Sequence, residues 1–580
     1  MQTTDYAVIA LYVIGIVAAG LVFAGKMKDS REMFSAGGRS PWWVSGLSGF
    51  MTQFSAGTFV IWGGIAYKYG LVAIVINLGY GVAAMLVGYF VAGRWRKLGV
   101  DSAAEFLRLR FGGSVVQFYT WFKGGATLFT MGGGVYALSK IVCVLVPLSD
   151  GHFLADAETG YLSVPIASVA LCAMVILITF IGGLWAVLMT DVLQFVIITV
   201  SVVFAVPLIL SEVGGVSAFL SQAPDGFTSP VAADFTWWFV TGWMIVNFFN
   251  IGADWTFVQR YLCVPEAKDA RKSAYLFGAL YLVSPIFWML PPLVYRVVNS
   301  EADPEQAYIL ACQLVLPTGM MGLMVAAMVS ATASMATTRL NVFAGAFTSE
   351  VYQRLINRTA SETRLVLVGR IATIILGGVV LAGALLIPRY GYTSFIIEMN
   401  ALLNGPLLLP TLWGLFSRKI GLGAVWFTIG SGFLAAFLVK FGLSNQGFLT
   451  EVALLQPLVD FIASNKRIVD LTVGIVCPFS ILVTLEMRAK NEHPGWQRVT
   501  NAQRVFQDAN PLSSSTLPAR MVILSLIVVA FVMAGLALFN GHDTGLLFTF
   551  SLTLFGIAGG LHFLVRRTEK NHITPLSAER

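Results

Sequence analysis

Apolar residues occur along this chain in fifteen long stretches, separated by short polar gaps. Most stretches are close to the ~20 apolar residues that a helix needs to cross a bilayer, and they are too long and too continuously apolar for barrel strands. The pattern therefore predicts an all-α polytopic membrane protein with about fifteen transmembrane helices. The predicted spans 1 to 15 cover residues 6–24, 45–66, 71–93, 120–147, 162–181, 184–211, 236–255, 273–297, 308–347, 364–388, 393–416, 421–441, 468–486, 519–539 and 544–565.

Positive charges fall mostly in alternate gaps between these spans. When residues near the span ends are counted with the adjoining gap, 27 of the 37 Lys and Arg residues lie in odd-numbered gaps, six in even-numbered gaps and four within spans. Because basic loops remain on the cytoplasmic side, this asymmetry predicts an N-terminus outside and a C-terminus inside. The net charge of +7 follows from the same loops facing anionic lipid, and no nucleic-acid partner is expected.

The composition leaves no room for a separate soluble domain of ordinary size, since 57% of the 580 residues are hydrophobic and only 12% are charged. The five cysteines show no paired spacing, which favours packing thiols over disulfides or a zinc site. The first span lacks a basic leader and a cleavage site, so it is predicted to be a transmembrane helix and not a signal peptide.

Two spans carry small and polar residues in their middle. Interrupted helices five spans apart are typical of transporters built from inverted repeats, with the binding site near the midplane. Glycine also serves close helix packing, so each segment alone is consistent with packing, whereas the matched pair favours a binding site. The residues are Ser55, Ala56 and Gly57 in span 2 and Asn247, Asn250 and Gly252 in span 7.

The repeats divide the chain into six predicted parts. Two five-helix repeats of opposite topology form the centre, and an appended helical hairpin follows a polar linker. The parts are an extra helix with a cytoplasmic loop (1–44), the first repeat (45–211), the second repeat (236–416), additional helices (417–486), a cytoplasmic linker (487–518) and the hairpin with a short tail (519–580).

Span 9 places the hydroxyls of Ser330, Ser334 and Thr337 on one helical face. Such a row facing an unwound segment suits a desolvated Na+, although it also suits helix packing or hydrogen bonding to the preceding turn. Asp191 in span 6 is the strongest functional candidate, because a carboxylate inside the membrane is costly unless it is paired or solvated.

Other charged residues in the spans receive structural interpretations. Asp254 in span 7 is predicted to pair with the nearby Arg260. Lys140 and Lys123 in span 4 are predicted to extend toward the outer and inner membrane surfaces, respectively. Glu398 in span 11 is a further carboxylate of interest.

Several motifs together resemble the sodium:solute symporter family, which includes sugar, proline, sialic acid and monocarboxylate cotransporters. They are GLSGFMTQFSAGTFVIWGGIAYKYG in span 2, GGLWAVLMTDVLQ in span 6, the pair Gln259–Arg260 after span 7, AAMVSATASM in span 9 and PLLLPTLWGLFSRK leaving span 11. The similarity extends from about residue 5 to 487. The resemblance implies the LeuT-type fold of two inverted five-helix repeats, with broken helices in spans 2 and 7.

The resemblance also implies two cation sites. The shared sodium site would use the carbonyls of Met51, Phe54 and Ala327 and the hydroxyl of Ser330, but its second hydroxyl position is Ala331 here. A second site would use Asp191, Ser330 and Ser334, with Ala333 at another position that has lost its hydroxyl. Thr332 lies between these positions and is expected to point elsewhere. Na+ is therefore the expected coupling ion, with H+ carried by Asp191 as the alternative.

The implied substrate positions form an uncharged, amide-rich and hydroxyl-rich cavity. The contacts would be Gln53, Thr58, Asn77, Asn247 and Asn250, with Trp62, Trp243 and Tyr80 nearby. The lysine of the family's sugar carriers falls near Tyr281 and their span 11 glutamine on Ile397, so the glucose or galactose template does not apply. A polyhydroxylated or zwitterionic solute suits this lining.

These observations predict a symporter, most simply Na+-driven, that imports a small polar solute such as a sugar or sugar derivative across a bacterial-type inner membrane. The alternatives are a proton-coupled or sodium-coupled importer of a carboxylate or amino acid, and a transporter-like membrane sensor. An enzyme is not expected, because no nucleophile–base constellation or metal cluster occurs. The expected partners are the solute and the lipid bilayer, and no obligatory protein partner is evident.

Overall fold

The protein is a bundle of helices whose order follows the apolar stretches. The computed structural model describes residues 2–24, 38–149, 151–181, 184–444, 447–450, 452–507, 517–539 and 544–573. The longest stretches outside the described residues are 25–37 of the first loop, 508–516 of the linker and 574–580 of the tail. No β-strand is present in the described ranges.

The helices of the spans have the following bounds: Thr3–Ala24 for span 1; Trp42–Gln53 and Thr58–Tyr69 for span 2; Val72–Lys97, Gly113–Val144, Val164–Ile181 and Leu184–Glu212 for spans 3 to 6; Trp237–Ala253 and Trp255–Leu262 for span 7; Ala267–Val298 for span 8; Met320–Ile356 for span 9; and Glu362–Tyr390, Tyr392–Gly414, Leu422–Gly442, Lys466–Arg488, Leu517–Phe539 and Thr544–Ile573 for spans 10 to 15. Shorter helices connect them at Ala103–Phe111, Val216–Gln222, Ala307–Val315, Ala453–Leu455, Gln456–Ser464 and Pro494–Gln507.

Ten of the described helices are long and apolar enough to cross a membrane. The two interrupted spans are divided into shorter helices. The count of fifteen transmembrane helices and the orientation of the termini therefore stay predictions. The stretch 308–347 is two helices and not one, because a turn at Pro317–Gly319 with a positive φ at Gly319 divides it.

Span 2 is interrupted at the predicted place. Phe54 has an extended conformation, with φ −94° and ψ 132°, and ends the first helix. The hydroxyl of Ser55 then accepts a hydrogen bond from the amide of Gly57 at 3.1 Å, as a serine at a helix start does. The amide of Ala56 donates to Thr332 Oγ1 in span 9 at 2.9 Å, which satisfies a backbone group that the break frees.

Span 7 is interrupted later than the sequence predicts. Its first helix continues through Asn247, Asn250 and Gly252, and the break lies at Asp254, with φ −67° and ψ 135°. The Asp254 carboxylate caps the second helix by accepting from the amide of Thr256 at 3.0 Å. The side chains of Asn247 and Asn250 therefore project from an intact helix, and the helix is interrupted at Asp254.

The basic loops of the odd-numbered gaps meet on one side of the bundle, which we call the basic face (residues 93–112, 260–272, 350–358, 414–421 and 488–507). Arg110 holds several of them together, because it donates to the carbonyl of Ser417 at 3.0 Å and lies 3.4 Å from His493 Nδ1. Arg498 donates to the carbonyl of Leu109 at 2.9 Å. The basic loops that occur in alternate gaps of the sequence therefore lie together on one side of the bundle.

Span 1 contacts the beginning of span 9 through one carboxylate. Asp5 Oδ1 accepts hydrogen bonds from the amides of Gly319 at 2.7 Å and Gly322 at 3.0 Å. A negative charge at this end of a helix stabilises its free N–H groups. The extra N-terminal helix therefore anchors the helix that carries the predicted cation residues.

Spans 4 and 10 pack so closely that glycine is required at their crossing. A Cβ built on Gly383 would lie 1.9 Å from the carbonyl oxygen of Phe129, a distance that no side chain tolerates. A Cβ on Gly378 of the same helix meets nothing within 4 Å. Small residues at such crossings allow membrane helices to approach backbone to backbone.

We predict that Gly383→Ala separates spans 4 and 10 and lowers the unfolding free energy by about 1–3 kcal/mol, as overpacking does. Gly378→Ala is the matched control, and it is expected to leave stability unchanged or slightly raised, because alanine favours a helix. The measurement is the thermal unfolding of both variants in detergent. Equal unfolding temperatures for the two variants would contradict the close crossing.

Candidate functional site

A cavity lies between the two interrupted helices, bounded also by spans 3, 4, 9 and 11. Its volume is about 170 Å³. This volume fits a small solute, because drug-sized ligands occupy pockets of about 300–1,000 Å³.

Four of the five predicted substrate residues line this cavity: Gln53, Thr58, Asn247 and Asn250. Gln53 Oε1 is buried and has no hydrogen-bond partner among the described residues. Asn77 is not part of the lining. Its amide donates to the carbonyl of Ala73 one turn earlier, at 2.8 Å.

Three aromatic side chains form one wall of the cavity, as the sequence suggests. Trp62 packs edge-on against Trp243, with 5.7 Å between ring centroids. The indole N–H of Trp243 donates to the hydroxyl of Tyr80 at 3.2 Å. These contacts fix the rings as a rigid, largely apolar surface against which a solute ring packs.

Span 11 contributes two asparagines that the sequence analysis missed. Asn400 and Asn404 line the cavity, and Asn404 Nδ2 donates to Asn400 Oδ1 at 3.0 Å. The family comparison directed attention to Ile397, which also lines the cavity but offers no polar atom. The i, i+4 spacing of two asparagines inside an apolar span is the signal that could have found them.

The floor of the cavity carries charge. Lys123 is buried and pairs with Asp254 at the break of span 7, so the prediction that Lys123 extends to the membrane surface is wrong. The predicted pairing of Asp254 with Arg260 is also wrong. Arg339 of span 9 lines the cavity as well, which the sequence analysis did not foresee.

A stack of three aromatic rings closes the floor. Trp255 lies between Tyr119 and Phe343, at centroid distances of 6.1 Å and 5.6 Å. On the other side of Trp255 is a second cavity of about 290 Å³, lined by basic-face residues that include Arg108 and Glu350. Asp254 lines the first cavity and Trp255 the second, so the span 7 break is the partition between them.

Asp191 lies in a fully buried polar cluster between spans 2, 6, 7 and 9. It accepts hydrogen bonds from the hydroxyls of Ser48 and Ser334. Arg260 Nη2 lies 3.8 Å from Asp191 Oδ2 and donates to Thr338 Oγ1 at 3.0 Å. Asp191 and Ser334, which the sequence analysis placed in one cation site, are therefore in contact. Arg260, which it paired with Asp254, lies in this cluster instead.

The predicted sodium residues lie where the span 2 break meets span 9. The carbonyl of Met51 accepts from the amide of Phe54 at 3.0 Å in the last turn before the break. Ser330 accepts a hydrogen bond from the side-chain amide of Gln194, whose Oε1 is buried without a partner among the described residues. Ala327 and Ala331 are buried on the same helix.

Thr332 has a role that the sequence analysis did not assign. It accepts from the amide of Ala56 and donates to the carbonyl of Met328 at 3.0 Å. It is thus a direct hydrogen-bonded link between the unwound part of span 2 and span 9. Threonine in a membrane helix commonly bonds to its own preceding turn, so the sequence alone does not reveal the second contact.

The sequence profile of the Sodium:solute symporter family matches residues 33–430. The chain belongs to the sodium:solute symporter family. This membership confirms the resemblance, and it makes the protein a multi-pass membrane transporter and not an enzyme.

Named relatives are sodium-coupled carriers of different solutes. The sodium/sialic acid symporter NanT of Aliivibrio fischeri is 27% identical over 439 aligned residues, which cover 72% of this chain and 84% of that protein. The sodium/glucose cotransporter 1 of Mus musculus is 25% identical, covering 78% and 72%. The sodium/myo-inositol cotransporter 2 of Homo sapiens is 28% identical, covering 73% and 68%.

Solved structures show the same fold at low identity. A substrate-bound, outward-open structure of a Na+-coupled sialic acid symporter aligns with a TM-score of 0.65 and 21% identity, covering 83% of this chain and 98% of that one. The inward-facing conformation of Mhp1 aligns with a TM-score of 0.51 and 14% identity, covering 82% and 97%. The predicted LeuT-type architecture is therefore confirmed at the level of the fold.

We predict that Asp191 and Arg260 are strongly coupled. Asp191→Asn leaves a buried guanidinium without its counter-charge and is expected to cost about 3–5 kcal/mol of stability. Arg260→Gln together with Asp191→Asn is expected to be less harmful than Asp191→Asn alone, because no uncompensated charge remains. Thermal unfolding of both single variants and the double variant measures the coupling, with the exposed Arg389→Gln as a control for simple charge loss. Additive effects would mean that the two residues do not act as a pair.

Proposed function

We propose that the protein is a Na+-driven symporter that imports a small polar organic solute such as a sugar or sugar derivative across a bacterial-type inner membrane. Membership of the sodium:solute symporter family supports sodium coupling and the transport of a small solute. The observation that carries the proposal is the small polar cavity between two interrupted helices. The charge asymmetry of the loops supports an N-terminus outside and a C-terminus inside, and the five-span separation of the breaks supports two inverted repeats.

The coupling ion would bind where the break of span 2 meets span 9. Met51, Phe54 and Ala327 offer backbone carbonyls there, and Ser330 offers a hydroxyl. Ala331 provides no side-chain oxygen, and we propose that Gln194 replaces it. Its amide already touches Ser330, and its carbonyl oxygen is buried without a partner. A hard cation such as Na+ prefers oxygen ligands of this kind.

A single Na+ per cycle suits this chain better than two. Arg260 already places a positive charge 3.8 Å from Asp191, where a second cation would have to lie. The hydroxyls of Ser48 and Ser334 donate to the same carboxylate and hold it in place beside the guanidinium. We therefore propose that Asp191 and Ser334 hold Arg260 and with it the junction of spans 6, 7 and 9.

The cavity suits a solute that donates hydrogen bonds and presents a ring. Gln53 Oε1 is a buried acceptor without a partner, and a solute hydroxyl would supply the missing donor. Asn247 and Asn250 offer further amides from span 7, and Trp62 and Trp243 offer a packing surface. A hydroxylated ring compound uses all of these features.

Coupling would follow from the position of the ion between two helices. Thr332 and the ion both connect the unwound part of span 2 to span 9, and this junction adjoins the cavity through Gln53 and Ser55. Release toward the basic face requires the stack of Tyr119, Trp255 and Phe343 to separate. Linkage requires the ion to raise the affinity for the solute by the factor by which the solute raises the affinity for the ion.

We predict that NaCl, and not KCl or choline chloride, raises the unfolding temperature of the purified protein, because a ligand of the folded state stabilises it by mass action. Ser330→Ala is expected to remove most of this effect. Ala331→Ser adds a hydroxyl at the position that lacks one and is expected to lower the sodium concentration for half-maximal stabilisation several-fold.

The control is Ala336→Ser, which makes the same chemical change on another face of span 9. It is expected to leave the sodium dependence unchanged. Stabilisation that is equal in NaCl and KCl, or that responds alike to both alanine-to-serine variants, would exclude this site as the place of sodium binding.

A further inference from the structure

Arg339 is a half-buried cation that the transport mechanism above does not use. It lies on span 9 one turn after Met335, and both residues line the floor of the first cavity. Its Nε atom is buried and has no hydrogen-bond partner among the described residues. A charged group in such a place is expensive unless a counter-charge meets it.

Asp254 is close enough to Arg339 to attract it electrostatically, but this carboxylate is already paired with Lys123. Asp254 is the single carboxylate in the described lining, and its two oxygens are bound to Lys123 and Thr256. Counting Lys123 and Arg339 as positive and Asp254 as negative leaves one unit of positive charge facing the cavity. Tyr392 faces the same region from span 11 and is neutral.

The upper part of the cavity has a different chemistry. Gln53, Asn247, Asn250 and Asn400 offer amides, and the tryptophans offer apolar surface. A solute that matches both parts of the cavity therefore has hydroxyl groups that bind the amides and one negative charge that faces Arg339 on span 9.

We infer that the transported solute carries a carboxylate group and that Arg339 is its counter-ion. This inference rests on the proposed function, since it names the class of solute that the symporter takes. Guanidinium binds carboxylate through two parallel hydrogen bonds, and a single carboxylate neutralises the single excess charge of the floor. A hydroxylated monocarboxylate of monosaccharide size meets the hydroxyl, charge and volume requirements together.

A solute carboxylate bound to Arg339 would also lie close to the charged residues at the floor of the cavity. A carboxylate at Arg339 lies beside the Lys123–Asp254 pair, which holds the span 7 break next to Trp255. Removing the Arg339 charge is therefore expected to weaken the binding of acidic solutes.

The test uses matched pairs of solutes in which the carboxylate of the acid is replaced by a neutral amide or hydroxymethyl group. The unfolding temperature of the purified full-length protein is measured in NaCl with D-glucuronate or D-glucuronamide, and with D-gluconate or D-glucitol. The expected result is that at least one acid stabilises the protein and its neutral partner does not. In Arg339→Gln the apparent affinity for that acid is expected to fall at least about 30-fold, the lower range for losing one partner of a buried charge pair. Arg339→Lys is expected to retain part of the affinity for the acid, because the positive charge remains.

Controls separate this inference from the proposed function. Asn400→Ala removes a neutral lining group and is expected to weaken acid binding much less than Arg339→Gln does. Arg339→Gln must keep the stabilisation by NaCl, which reports an intact sodium site. If the neutral partners stabilise the protein as well as the acids, or if no acid does so, the inference is overturned while sodium coupling stands. Loss of the sodium effect in the unmodified protein would overturn the proposed function itself.

Discussion

An unwound backbone inside a membrane bundle has to find its hydrogen-bond partners within the protein, because hydrocarbon offers none. Two such segments occur here, at Phe54 in span 2 and at Asp254 in span 7. The first is held to span 9 by the bond between Ala56 and Thr332, and the second is held to span 4 by the pair of Asp254 and Lys123. The cavity, its floor and the predicted ion site all take their positions from these two attachments.

The same constraint explains why the buried charges are arranged in pairs. Asp191 meets Arg260 and two hydroxyls, and Asp254 meets Lys123. Both carboxylates come from helices that border span 9, so the helix with the small hydroxyl row is surrounded by fixed polar contacts. Arg339 on span 9 forms no such ion pair among the described residues, and the inferred preference for an acidic solute rests on its position in the cavity lining.

Much of the fold could be predicted from the sequence, because hydrophobic length and loop charge depend on the bilayer and not on tertiary detail. The break at Phe54 was also visible, since Ser55 and Gly57 interrupt an apolar span. The break at Asp254 was misplaced, because Asn247 and Asn250 attract attention as polar residues although an intact helix presents them to the cavity. Contacts between residues far apart in the sequence cannot be predicted from local spacing. The pair of Lys123 with Asp254 and the hydrogen bond of Thr332 with span 2 are contacts of this kind.

The central claim is that one sodium ion joins the span 2 break to span 9 at Ser330. Equilibrium binding of radioactive 22Na+ to the purified protein tests it most directly. The account predicts saturable binding of one ion per chain that excess K+ does not displace, that Ser330→Ala removes and that Ala331→Ser strengthens. Two ions per chain, or binding that survives Ser330→Ala, would contradict it.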